Sequence, residues 1–192
     1  MSEQGKIFIT SDTHFGHDKD FLYRPRGYNS IQEHDIDIIK RWNEIIQPND
    51  EIFHLGDVML GDNDYGLSCI KQLKGKIHII RGNHCTDTRM ELYRNCHNVV
   101  EVCEGKFLKY KKYSFYLSHY PTITSNYDVD KPLKARVISL AGHSHTKDQF
   151  KDMDKGLIYH CELDTNDCYP WLLDDIITNI INYTKGELNE SK

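Results

Sequence analysis

The chain has 192 residues, 24 basic and 29 acidic side chains for a formal net charge of -5, and 39% hydrophobic residues. This is long enough to close one ordinary core without disulfides, the well-mixed charge excludes a polybasic nucleic-acid-binding arm, and no apolar run approaches the ~18 residues of a membrane span. Residues 1–185 read as a single domain ahead of a polar tail, 186–192, and the start Met1-Ser2-Glu3-Gln4 lacks the basic and apolar regions of a secretory signal, so a cytoplasmic location is expected.

Apolar runs at 6–10 and 51–55 predict strands, and between them residues 31–46 place Ile31, Ile38, Ile39, Trp42, Ile45 and Ile46 on one face of a helix. Ser30 is its N-cap, Glu33 completes a capping box, and Pro48-Asn49-Asp50 stops it. The spacing predicts shorter helices over 65–73 and 87–95, on either side of a strand at 76–80. Segments 99–104, 107–110 and 113–117 read as antiparallel strands joined by tight turns, with further strands at 137–141 and 156–163. Pro170 falls where the first turn of a last helix belongs, and Trp171, Leu172, Ile176, Ile177, Ile180 and Ile181 make its apolar stripe. The class is α/β. Six cysteines without a CxxC pair or regular spacing read as reduced thiols rather than a zinc or disulfide framework.

Five polar clusters stand at or just past the carboxyl ends of predicted strands: Asp12-Thr13-His14, Gly56-Asp57, Gly82-Asn83-His84, Ser118-His119 and Gly142-His143-Ser144-His145. In open α/β sheets ligands gather there, because the loops converge on one crevice while the sheet fixes their origins. Residues two apart in extended chain point the same way, so Asp12 and His14 can grip one cation together, and His143 and His145 can reach neighbouring sites. Asp57 offers a carboxylate able to bridge two metals. Asn83 and His84 are adjacent, so their side chains diverge, one toward a metal and the other toward a substrate.

These clusters, SDTH, GD, GNH, SHY and GHSH in that order, resemble the motif series of the calcineurin-like metallophosphoesterase superfamily over residues 7 to about 165. The resemblance implies a four-layer α/β/β/α sandwich of two mixed β-sheets flanked by helices, with a dinuclear site at one end of the sheets. It implies that Asp12, His14, Asp57 and His145 hold one divalent cation and Asp57, Asn83, His119 and His143 the other. The metals expected are manganese first, with iron or zinc as alternatives, which suits imidazole, carboxylate and amide donors without thiolate. Two such cations about 3.5–4 Å apart share a hydroxide and clamp the phosphate during in-line attack, so no protein nucleophile is needed. His84, beside a ligand but not itself one, is the expected general acid. Protein-phosphatase extensions of the motifs are absent: Gly56-Asp57 continues Val58-Met59-Leu60-Gly61, and His84 is followed by Cys85. SDTHFGH looks like a small stand-alone branch found in bacteria and their viruses.

The function expected is hydrolysis of a phosphate mono- or diester, on a small molecule or nucleotide. One rival is a non-catalytic protein-binding scaffold on the same fold, which tends to lose the histidine that His84 retains; another is a nuclease, which needs a basic groove that the mixed charge does not favour. His17, Arg24 and Arg26 are candidates for holding the substrate phosphate. Tyr120 and Tyr127 are weighed as base-stacking rings, with packing the commoner role. His34, His54, His78, His97 and His160 are assigned no role, and the acidic runs at 62–66 and 152–156 read as turns because neither supplies the glutamate of a calcium loop.

Overall fold

Alternation along the first two strands sorts their side chains between two cores: Phe8 and Ile52 enter one, Ile9 and Phe53 the other. The computed structural model describes residues 5–125, 128 and 130–190; Tyr127 lies outside them. Strands β1 (Ile7–Thr10), β2 (Glu51–His54), β3 (Lys76–Ile80) and β4 (Val99–Cys103) pair in parallel, and β9 (Trp171–Leu172) joins β1 antiparallel to give the order β4-β3-β2-β1-β9. Strands β5 (Lys106–Tyr110), β6 (Tyr113–Leu117), β7 (Val137–Ala141) and β8 (Ile158–His160) form a second sheet, antiparallel between β5 and β6 and parallel onward. Both sheets are mixed, and helices flank them.

Among the helices, α1 (Asp20–Tyr23) is one turn long, while α2 (Ile31–Ile45), α3 (Asn63–Ile70) and α4 (Asp87–Arg94) cover the face of the first sheet that carries Phe8, Ile52, Ile77 and Ile79. Helix α2 starts as expected, with the Glu33 N–H donating to Ser30 Oγ, although the Glu33 carboxylate reaches back to the Asn29 N–H, one residue earlier than in a standard box. Its Trp42 and Ile38 are buried against the sheet. The acidic run after residue 61 is a helix cap, since Asp62 Oδ1 accepts the Tyr65 N–H at 2.7 Å. Between the sheets, Ile9, Phe53, Leu55 and Ile80 meet Phe115, Leu117 and Leu140, together with Ile176 and Ile180 of α5 (Leu173–Glu190).

Three further expectations need correction. Residues 99–103 do not pair with 107–110; the β3-α4-β4 crossover returns the chain parallel to β3, and the Glu104-Gly105 turn then carries it into the other sheet. Pro170, Trp171 and Leu172 are not helical, because Trp171 and Leu172 are taken up as an antiparallel edge on β1 and the helix begins at Leu173. The strand expected over 156–163 is only Ile158–His160, since the chain turns into a 3-10 segment at Leu163–Thr165. Helix α5 runs past Gly186 to Glu190; one glycine in a helix costs only about 1 kcal/mol. All six cysteines are free.

Candidate metal centre

Every one of the five polar clusters leaves the carboxyl end of a strand: Asp12 and His14 after β1, Asp57 after β2, Asn83 and His84 after β3, His119 after β6, His143 and His145 after β7. The loops are tied to one another. The Asp12 N–H donates to the Gly56 carbonyl, His14 to that of Asp57, and Gly142 to that of His119. These bonds hold an unusual backbone, for Asp12, His14, Asp57, His143 and His145 have φ of 60°, 50°, 55°, 76° and 45°. Left-handed conformations cost a non-glycine residue roughly 1–3 kcal/mol each and persist only where surrounding contacts over-determine them. Five of the seven candidate ligands share this strain, which marks the edge of the sheets as a built site.

Two glycines admit the close approaches. A Cβ on Gly142 would stand 2.0 Å from Ser11 Oγ and 2.6 Å from Asp12 Oδ2, and one on Gly82 would stand 2.2 Å from Asp57 Oδ1. Their bare backbone lets the carboxylates sit flush against the neighbouring loop.

All seven expected ligands are brought together, in two groups. Around Asp12 Oδ1 lie His14 Nε2 at 3.5 Å and His145 Nε2 at 3.6 Å, the two ring nitrogens being 3.2 Å apart. Around Asn83 Oδ1 lie His119 Nε2 at 2.8 Å and His143 Nδ1 at 2.9 Å, with 3.2 Å between those nitrogens. Asp57 Oδ2 faces both groups, 3.9 Å from His14 Nε2 and 3.4 Å from His119 Nε2, while its other oxygen accepts the His84 N–H at 2.9 Å.

The donor set fits divalent cations. Ligands bonded at about 2.0–2.2 Å to one ion are spaced roughly 3–3.5 Å from one another, the spacing that prevails here. Asp12 Oδ1 is buried with no hydrogen-bond partner among the described residues, although its Oδ2 accepts the His143 N–H at 2.9 Å. The His119 Nδ1–H donates to the Leu55 carbonyl at 2.8 Å, so in the neutral ring Nε2 presents a lone pair to the Asn83 oxygen. That contact is satisfied by a proton on Nε2, by the Asn83 amide turned to present its NH2, or by a metal held between the two.

Electrostatics agree. Burial would raise the Asp12 pKa, but His14, His145 and His119 outweigh it and hold the carboxyl far below its ordinary range. Burial pushes His14 down. At His145 and His119 burial also disfavours the charge, yet Asp164 and Asp12 around the first, and Asp57 and Asp12 around the second, raise both above the ordinary range. The buried carboxylates therefore draw positive charge into the site.

His84 and His17 both line a cavity of about 490 Å³ that opens onto the ligands. The His84 ring lies 5.6 Å from that of His14, and burial, followed by the neighbouring imidazoles, pushes His17 down to about 4. The two arginines are placed elsewhere. Arg24 is paired with Asp20 at the surface and does not line the cavity. Arg26 is not free to clamp phosphate: its side chain is 1% exposed, and its guanidinium grips Asp164 through Nε at 3.0 Å and Nη2 at 2.7 Å while donating to the Asp12 carbonyl. It is a strut behind the site.

Sequence reasoning missed Asp164, whose Oδ2 lies 3.3 Å from His145 Nδ1 and sets which nitrogen of that ring faces Asp12. It also missed Glu162, whose Oε1 accepts the Ser144 N–H at 3.0 Å between His143 and His145. Neither belongs to a motif; the one signal was a pair of carboxylates at the end of a predicted strand. Tyr120 is exposed, with its ring against those of His143 and His119.

Comparison with known proteins agrees with this architecture. Residues 6–160 match the model of the calcineurin-like phosphoesterase superfamily domain. An uncharacterized protein of Methanocaldococcus jannaschii, MJ1445, is 32% identical over 127 residues, 64% of each chain, so the chain spans a little under two thirds of that relative. The Gene 66 protein of Mycobacterium phage L5 is 25% identical over 162 residues, 72% of this chain and 77% of that one. Among solved structures, a protein of unknown function from Aquifex aeolicus, AQ665, superposes with a TM-score of 0.72 at 23% identity, over 92% of this chain and 100% of that one, and so shares the fold. No helix among the described residues is long and apolar enough to cross a membrane. Members of the matched family bind divalent metals and act on phosphate esters, and the convergent carboxylates and imidazoles supply candidate ligands. The chain belongs to the calcineurin-like phosphoesterase superfamily.

Proposed function

We propose that the chain hydrolyses a small-molecule or nucleotide phosphate ester at a dinuclear centre. Asp12, His14, Asp57 and His145 hold one cation, Asp57, Asn83, His119 and His143 hold the other, and His84 gives a proton to the leaving oxygen. The observation that supports this most is the Asp57 carboxylate: one oxygen faces both groups of ligands, and the other is fixed by the backbone of His84. Manganese is the metal expected, with iron or zinc as alternatives, because the donors are imidazole, carboxylate and amide.

When bound, the cations supply Lewis acidity to the phosphate and lower the pKa of water toward about 7. The protein does the rest. Asp57 anchors the His84 main chain while leaving its ring at the cavity wall, placed to act as a general acid. His17 lines the same wall and can donate a hydrogen bond to a phosphate oxygen. Asp164 and the Leu55 carbonyl fix the orientation of His145 and His119.

The test is a metal-replete preparation assayed on a chromogenic aryl phosphodiester and on the corresponding monoester. Turnover that a chelator abolishes and manganese restores, with two ions per chain by elemental analysis, is expected. A single ion at saturation, or inertness toward both esters, would refute the reading.

A further inference from the structure

Two cavities meet at Asn83. The first, of about 490 Å³, is bounded by His14, Asp57 and His145 and carries His84 beside an apolar wall of Phe21, Leu22 and Leu60. The second, of about 720 Å³, is bounded by Asn83 and His119 and runs past Tyr120, Tyr116 and Thr86. Each holds one large exposed ring, Phe21 at 71% and Tyr120 at 52%. Phe21 stands edge-on to His17 at 5.6 Å, and Tyr120 stands against His143 at 4.8 Å. An apolar ring left in water beside a ligand-lined cleft is a ready stacking platform, and here there is one on either arm.

A phosphomonoester has one organic substituent and fills one compartment; a diester has two. We propose that the substrate is a phosphodiester of dinucleoside size with an aromatic group on each side of the phosphate. The inference rests on the hydrolase reading above. The leaving alcohol's ring lies against Phe21, beside His84, and the retained substituent stacks on Tyr120. Water oxygen forms the new bond to phosphorus and the bond to the leaving oxygen breaks. That oxygen takes a proton from His84, which recovers one from solvent, and the products are an alcohol and a phosphomonoester.

Charge limits the length on the Tyr120 side. The Arg81 guanidinium in the second cavity is tied to Asp87 at 2.7 Å and to Glu104 at 2.8 Å, and both carboxylates line that cavity too. Beyond Tyr120, further phosphates would meet carboxylates rather than a free cation, which disfavours a strand extended on that side, while Lys147 in the first cavity leaves the other side open to one.

The test compares thymidine 5′-(4-nitrophenyl phosphate) with methyl 4-nitrophenyl phosphate on the manganese-loaded protein. The two share a leaving group and differ in the retained one. Tyr120→Ala should lower the ratio of their kcat/KM values about ten-fold, the range of one base stacking on one ring, whereas Phe21→Ala should lower both substrates alike. Calorimetric affinity for a thymidine dinucleoside phosphorothioate should fall about ten-fold in each variant. A ratio within two-fold of wild type in Tyr120→Ala, or an affinity unmoved by either change, overturns the two-armed site while methyl ester turnover leaves the hydrolase reading standing. Activity confined to 4-nitrophenyl phosphate overturns the diester and again spares the hydrolase. Inertness toward all three esters overturns both.

Discussion

The two halves of the centre are held differently. Around Asp12, His14 and His145, the first two side chains are buried and the third is backed by Asp164, which is itself clamped by Arg26. Around Asn83, His119 and His143, only His119 is buried; its support is one carbonyl, and Asn83 and His143 are exposed. Ligands fixed from behind need no reorganisation to bind, so the propped half should keep its ion longer. Chelator titration should then release the two ions in separate steps, the Asn83 half first.

The largest effect should come from the one residue the halves share. Asp57→Ala should remove both ions and cut turnover about a thousand-fold or more, roughly 4 kcal/mol of barrier. Elemental analysis checks it, and a variant that still held two ions would mean the halves are independent. His84→Ala should come next, lowering turnover about a hundred-fold on an alkyl ester, and less on an aryl ester whose leaving group needs no proton. Its metal content should equal that of wild type, since the tie to Asp57 is through the main chain.

How far these features were legible depended on whether the physics was local. Motif residues were readable because the chemistry fixes residue type and the sheet fixes where the loops start, and the cap at Ser30 was readable because it acts within one turn. The partner of β4 was not, because Val99–Cys103 fits either sheet and only the α4 crossover decides. Arg26 was misread for a similar reason: an arginine near a phosphate site looks like a clamp until Asp164, far along the chain, is seen to occupy it. Trp171 was assigned to a helix because its spacing fits the stripe, yet β1 had an open edge that took it.

Asp164 sharpens the comparison between the halves. Asp164→Asn should weaken binding of the more tightly held ion about ten- to a hundred-fold, the usual cost of losing a carboxylate behind a metal-bound histidine, and merge the two release steps into one. The change also strands the buried Arg26 charge, which would destabilise the fold by itself. Arg26→Gln combined with Asp164→Asn removes both charges, so an affinity loss that persists in the double variant belongs to His145. Two release steps that remain well separated would show that Asp164 is not what distinguishes the halves.

The smallest effect concerns a support that serves both halves equally. Glu162 holds the Ser144 N–H between one ligand of each group, and the buried His160 bridges Glu162 Oε1 at 3.1 Å and Asp152 Oδ2 at 2.8 Å. Burial opposes a charge on His160, but Glu162 and Asp152 outweigh it and raise its pKa above the ordinary imidazole range. A raised folded-state pKa stabilises fully below the unfolded value, about 6.5, and the contribution fades as pH rises through the folded value. The stability advantage of wild type over His160→Gln, about 1 kcal/mol for a typical hydrogen bond, should therefore be greatest just below the unfolded imidazole value, where Asp152 is still ionised, and shrink toward alkaline pH. Denaturant melts of the metal-free proteins across that range measure it. An advantage that grows with pH would mean the ring is held neutral, and a change in the spacing of the two chelator steps would mean that this support, too, favours one half.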